Sequence, residues 1–358
     1  GAWGLASRPR AFLAAGRARP ARRLGAQDLL AALADNPPGS YFALMKPLTE
    51  AVSISYDASL GPWNVAGREQ ATIAPELGGG AAWERLYDLD VNSMDSGIHA
   101  FSFAEHGSRR AIVAFRGSCQ DGGIKQCRCD RCVLSRFGTF GPLSSTTFGT
   151  NSSNRCQDFT AAELDYLGQA EALVQRVQAR LPGYTLLLTG HSLGGFLASV
   201  TAARQFDNVQ AVSFAPSPFY KALREGLGLS RQQINELPAG DNVAVCDPYD
   251  CGVNTLEVPL ARLGATTCLY DHQTSQEEPS ACRGVHAAVK DGSINAFELL
   301  PSLKCKGDAH AWERYKKLIP AAQPGSERPH FLPTCRSDYS TKTEPLIAAM
   351  KFYRVRRS

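Results

Sequence analysis

No run of about 18 apolar residues occurs in this 358-residue chain, which excludes a membrane-spanning helix. The longest candidate, Leu29 to Ala34, is far too short. No internal repeat occurs, so a solenoid or propeller is excluded. Charged residues are modest at 20%, and hydrophobic residues reach 44%. That balance rules out a coiled coil, a collagen-like repeat and a wholly disordered chain. Acidic residues are missing from the start of the chain. Arg8, Arg10, Arg17, Arg19, Arg22 and Arg23 all precede the first carboxylate, Asp28. The net charge of +4 lives in that arm. The remainder is near neutral, so the charge offers no argument for nucleic acid as a partner. Residues 1–26 read as a basic arm, a disordered tail or a targeting remnant, and residues 27–358 as one domain.

Cysteine is plentiful. There are eleven, and an odd count leaves at least one thiol unpaired. Disulfides in an oxidising compartment are the expected use. The Asn151-Ser152-Ser153 sequon agrees with a secreted or lumenal location, while the basic arm also suits a plastid or other organelle. Cys127-x-Cys129-x-x-Cys132 has the look of a zinc knuckle. Structural zinc uses paired knuckles, so disulfides are the preferred reading and no metal or other cofactor is expected.

The hydrophobic pattern is that of an α/β chain. A short helix is expected before Asn36-Pro37-Pro38-Gly39, and mixed helix and loop through residue 96. Ile98–Ala104 and Ala111–Phe115, joined by the turn Glu105-His106-Gly107-Ser108, predict a hairpin. Residues 119–156 hold five cysteines among Gly, Ser and Thr and read as a long loop, a covering element over a site. Ala161–Leu181 reads as an amphipathic helix stopped by Pro182-Gly183. Strands are predicted at Tyr184–Leu188, Val209–Phe214 and Asn242–Cys246, with a helix over Gly194–Phe206. Alternating strands and helices predict a mostly parallel central sheet flanked by helices.

One stretch carries chemistry. Gly190-His191-Ser192-Leu193-Gly194 lies between an apolar strand and a helix of small residues. That is the setting of a nucleophile elbow, where a sharp strand-to-helix turn lifts a serine hydroxyl above the sheet. The first N–H groups of the following helix point at the oxygen that becomes negative. Together with Ala114-Phe115-Arg116-Gly117-Ser118 upstream, Gly190 to Gly195 resembles the class 3 (fungal-lipase-like) lipases of the α/β-hydrolase superfamily. The likeness runs from about Gly97 to Ile319. It implies hydrolysis of acyl esters of lipids by a Ser-Asp-His triad, with contact to a lipid or membrane surface.

Ser192 is then the nucleophile, and Leu193 supplies one oxyanion N–H. The resemblance assigns the second donor to Ser118. The fold orders its triad as serine, acid, histidine, which disfavours His99 and His106. His191 adjoins Ser192, and its side chain should point away. Of His272, His286, His310 and His330, His310 is preferred, because it precedes an aromatic helix (Trp312, Tyr315), with His286 and His330 as rivals. The acid follows the strand ending at Cys246. Asp250 is preferred over Asp247 because relatives place two spacers between a polar residue and the acid. A polar, cysteine-rich 119–156 departs from the family's simpler amphipathic lid and argues against strong interfacial activation. The competing readings are a lipid-binding scaffold on the same fold, and a serine acyltransferase or thioesterase built on the same constellation.

Overall fold

The computed structural model describes residues 38–57, 72–74, 82–92, 96–119, 124–136, 156–204, 208–216, 230, 242–246, 265–268, 310–313 and 315–316. The basic arm predicted for 1–26 lies outside them. The described elements are helix α1 (Pro38–Tyr56), strands β1 (Glu84–Arg85), β2 (Val91–Asn92), β3 (His99–Glu105) and β4 (Arg110–Phe115), and helices α2 (Lys125–Arg136), α3 (Ala161–Leu164) and α4 (Tyr166–Arg180). Strand β5 (Thr185–His191), helix α5 (Leu193–Ala203) and strands β6 (Val209–Phe214), β7 (Asn242–Cys246) and β8 (Ala265–Cys268) follow.

The strands form one eight-stranded sheet in the order β1-β3-β4-β5-β6-β7-β8, with β2 also paired to β3. β3 and β4 make the predicted antiparallel hairpin. From β4 onward each strand lies parallel to its neighbour, which requires a crossover between each pair. A strand in such a sheet is buried on both faces, and its side chains alternate between two cores. Ala111, Val113 and Phe115 of β4 and Leu186 and Leu188 of β5 face the core under α4 and α5. Ile112, Ala114 and Leu187 face the other core, built with Met45, Leu48, Val52 of α1 and with Trp312 and Tyr315. Helix α5 is buried nearly all round because it is sandwiched between the sheet and α4, which explains its run of small and apolar residues.

Three expectations are corrected. The stretch 119–156, read as loop, contains the helix α2. Its buried stripe is made by Gln126, Cys127, Cys129, Asp130, Val133 and Leu134, and cysteine and paired polar groups stand where large apolar residues were sought. Two disulfides, Cys119–Cys127 and Cys132–Cys156, pin this helix at both ends. The single helix expected over 161–181 is two, because the Asp165 carboxylate turns back to accept from the Gly168 N–H and caps α4. Helix α1 opens at Pro38, and the short helix expected before Asn36 lies outside the described residues. Proline is suited to a first helical turn, where its missing N–H costs no hydrogen bond. Strand β5 runs past Leu188 to His191, directly into Ser192.

Candidate active site

Ser192 has φ 58° and ψ −118°, a left-handed conformation that costs a non-glycine residue on the order of 1–3 kcal/mol. The surroundings enforce it. The Ser192 N–H donates to the Phe214 carbonyl at 3.0 Å, and its own carbonyl accepts the first helical bond of α5 from Phe196. The turn brings backbone against backbone. A Cβ on Gly190 would come within 2.6 Å of the Phe115 carbonyl oxygen, and one on Gly194 would strike that same oxygen and lie 2.8 Å from the Arg116 carbonyl carbon. A Gly195 Cβ would meet the Gly190 and Phe214 carbonyl oxygens at 3.0 and 3.1 Å. The glycines of the motif are therefore required by close approach.

The elbow sets Ser192 at the carboxyl ends of the parallel strands. His310 comes to it from far along the chain. The His310 Nε2 lies 2.8 Å from the Ser192 Oγ. Aromatic rings after the histidine fasten this segment to the sheet. Trp312 and Tyr315 stack on each other, and Trp312 also stacks on Tyr56 and meets Phe214 edge-on. Both rings are buried. Leu193 is the first residue of α5, so its N–H belongs to the first turn, which has no partner inside the helix. Ser118 follows β4 on the segment 116–119, whose start packs on the elbow. A Gly117 Cβ would lie 2.6 Å from the His191 carbonyl oxygen.

That segment is held by a buried carboxylate. Asp130 of α2 accepts from the Cys119 N–H at 3.0 Å, from the Arg116 guanidinium at 3.2 Å, from Gln126 at 3.1 Å and from the Tyr166 hydroxyl at 2.7 Å. Burial outweighs the Arg116 charge and holds the Asp130 carboxyl above the usual carboxylate range. It also raises the Tyr166 phenol, chiefly by desolvation and then by the neighbouring carboxylate. The Cys129 thiol, unpaired and buried against this group, is raised by desolvation as well. Cys127 and Cys132 are each bonded to a different cysteine, Cys119 and Cys156, so this trio is not a zinc knuckle.

The structure thus brings together Ser192, Leu193 and His310, with Ser118 on the segment packed against them. Asp250 and Asp247 lie outside the described residues, as do His272, His286 and His330. Tyr56, Asp130 and Gln126 went unnoticed in the sequence. The one signal for the last two was a polar pair at i, i+4 on the face that also carries the buried cysteines. His191 points away from the serine toward Tyr56, with its Nδ1 2.8 Å from the Tyr56 hydroxyl.

A strand, a strained serine turn and a buried helix at the carboxyl edge of a parallel sheet are the arrangement of the α/β-hydrolase fold. Residues 139–217 match the family described as Lipase (class 3). Solved structures similar to it include MDLA from Penicillium cyclopium, 15% identical over 66% of this chain and 82% of that one, with a TM-score of 0.39. Lipase II from Rhizopus niveus is 14% identical over 64% and 79%, with a TM-score of 0.35. The Rhizomucor miehei lipase propeptide complex is 12% identical over 64% and 66%, with a TM-score of 0.34. No described helix is long and apolar enough to cross a membrane.

Proposed function

We propose that this chain is a carboxylic ester hydrolase acting on acyl esters of lipids, with Ser192 as nucleophile and His310 as general base. The observation that carries the reading is the 2.8 Å separation between the His310 Nε2 and the Ser192 Oγ on a strained elbow. A serine hydroxyl is a weak nucleophile until a base takes its proton, and that distance is within reach of direct transfer. The Ser192 Oγ attacks the ester carbonyl carbon while its proton passes to the Nε2. The carbonyl oxygen becomes an oxyanion between the N–H groups of Leu193 and Ser118, each worth roughly 3–4 kcal/mol in such sites. Collapse of the tetrahedral adduct breaks the bond to the leaving alkoxide, which takes the proton from His310. Water then repeats the sequence on the acyl-enzyme, releasing the fatty acid and restoring both residues.

For Nε2 to accept, Nδ1 must carry the other ring proton and donate it to a carboxylate. Asp250 fills that role in this reading, with Asp247 as the alternative. Helix α2 is tied by two disulfides and by Asp130, which speaks for a fixed cap beside the oxyanion segment rather than a swinging one. The same bridges support a secreted or lumenal location, and the lipid substrate implies transient contact with a membrane or droplet surface.

The deciding experiment is hydrolysis of p-nitrophenyl butyrate by purified wild type and Ser192→Ala. The variant is expected to lose activity while keeping the wild-type circular dichroism spectrum. Undiminished turnover by Ser192→Ala overturns the proposal. A panel of triacylglycerol, phospholipid and galactolipid then assigns the head group.

A further inference from the structure

We propose that Tyr56 and His191 are positioning residues that couple the oxyanion segment to the catalytic base, through the packing of Tyr56 on Gly117 and the hydrogen bonds that join Tyr56 to His191 and His191 to His310. The inference rests on the serine hydrolase reading and adds two residues to it.

The chain starts at the oxyanion side. The Tyr56 hydroxyl oxygen packs against the backbone of Gly117, one residue before Ser118. A side chain at 117 would collide with that same oxygen, so the glycine makes room for the tyrosine. Burial holds the Tyr56 phenol far above its ordinary range, so the hydroxyl keeps its proton and has it to donate. It lies 2.8 Å from the His191 Nδ1. The other ring nitrogen of His191, Nε2, lies 2.7 Å from the backbone carbonyl of His310. A carbonyl can only accept, so Nε2 carries the proton and Nδ1 is left to accept from Tyr56. One tautomer satisfies both bonds, and the donors run in one direction: Tyr56 O–H to His191, His191 Nε2–H to His310.

The geometry leaves little freedom. His191 is 4% exposed and packed among the rings of Tyr56, His310, Trp312 and Tyr315, with centroids 4.8 to 5.9 Å away. The ring spans from the last residue of α1 to the segment carrying the base, two places far apart in sequence. The residue between Gly190 and Ser192 therefore needs a buried donor and a buried acceptor at opposite ends of one side chain. Neither Tyr56 nor His191 touches the reacting atoms. They act through the backbone of Gly117 and of His310, on which the placement of Ser118 and of the His310 ring depends.

The test measures kcat and KM on p-nitrophenyl butyrate, with thermal melting of each variant. Tyr56→Phe keeps the ring and removes one oxygen. Its kcat is expected to fall about tenfold with KM nearly unchanged, since small misplacements of reacting groups act on turnover. His191→Leu, which removes both bonds, should fall about a hundredfold. His191→Gln retains a donor and an acceptor and should recover most of that loss. If the leucine variant is not recovered folded, Tyr56→Phe decides alone. Wild-type kcat in Tyr56→Phe and His191→Leu, or a glutamine variant as impaired as the leucine one with an equal melting temperature, overturns the inference. Activity in Ser192→Ala would instead overturn the hydrolase reading itself, so the two failures are distinct.

Discussion

The elbow at Ser192 and the segment 116–119 that faces it are neighbours in space, yet they are held by opposite means. The elbow is fixed by backbone against backbone. Gly190, Gly194 and Gly195 leave no room for a Cβ, and Phe115, Phe214 and Arg116 supply the carbonyls that would be struck. Residues 116–119 are fixed by side chains from elsewhere, Asp130 bonded to Cys119 and Arg116, and Tyr56 packed on Gly117. A site can thus be half steric and half polar. The steric half tolerates no added bulk, and the polar half tolerates no orphaned partner.

Removing a polar anchor should cost most. Asp130→Ala strands the Arg116 guanidinium, which is largely buried, and is expected to lower stability by about 3–5 kcal/mol in urea unfolding. A loss below about 1 kcal/mol would mean that solvent replaces the carboxylate readily. The steric half comes next. Gly194→Ala should destabilise by about 1–3 kcal/mol by thermal melting, because the obstruction is backbone and cannot swing aside. Opening the Cys119–Cys127 bridge, with a sequence separation of 8, should cost about 2 kcal/mol and loosen Ser118 beside it. The check is melting and ester turnover of Cys119→Ser/Cys127→Ser, which should lose more activity than Cys132→Ser/Cys156→Ser.

A local polar anchor gives the smallest effect. Thr160 and Glu163 form a capping box at α3, and Thr160→Ala should cost about 1 kcal/mol. The Thr160 N–H first, then the Ser96 hydroxyl, push the Glu163 carboxyl from the ordinary 4.5 down to about 2. The ionised form is the one favoured on folding, so this contribution is present above pH 4.5 and fades as pH falls toward 2. Melting curves of wild type and Glu163→Gln should separate at neutral pH and converge near pH 2.

This division also explains what the sequence made readable. Steric requirements leave a local signature, since glycines must stand at fixed offsets from the serine. Strand periodicity is equally local, and β6 and β7 have the bounds that the apolar runs predict. His310 was reachable through chain order and the aromatic residues behind it. Polar anchoring leaves no such trace. Tyr56 is 135 residues from His191, and nothing in the neighbourhood of either names the other. Helix α2 was hidden because its buried stripe is built of cysteine, glutamine and aspartate, whose burial depends on bonds that form only in the folded chain. The helix over 161–181 looked continuous because Asp165 is an ordinary helical residue until its carboxylate turns back on Gly168.

The sequence separation of 118 between Ser192 and His310 also orders events in time. During synthesis the hydroxyl proposed as nucleophile leaves the ribosome well before the imidazole proposed as its base. On the proposed mechanism, a nascent chain that has completed α1, the hairpin and the elbow is still chemically silent. On that mechanism, competence arrives only when the distal segment docks Trp312 and Tyr315 beside Phe214.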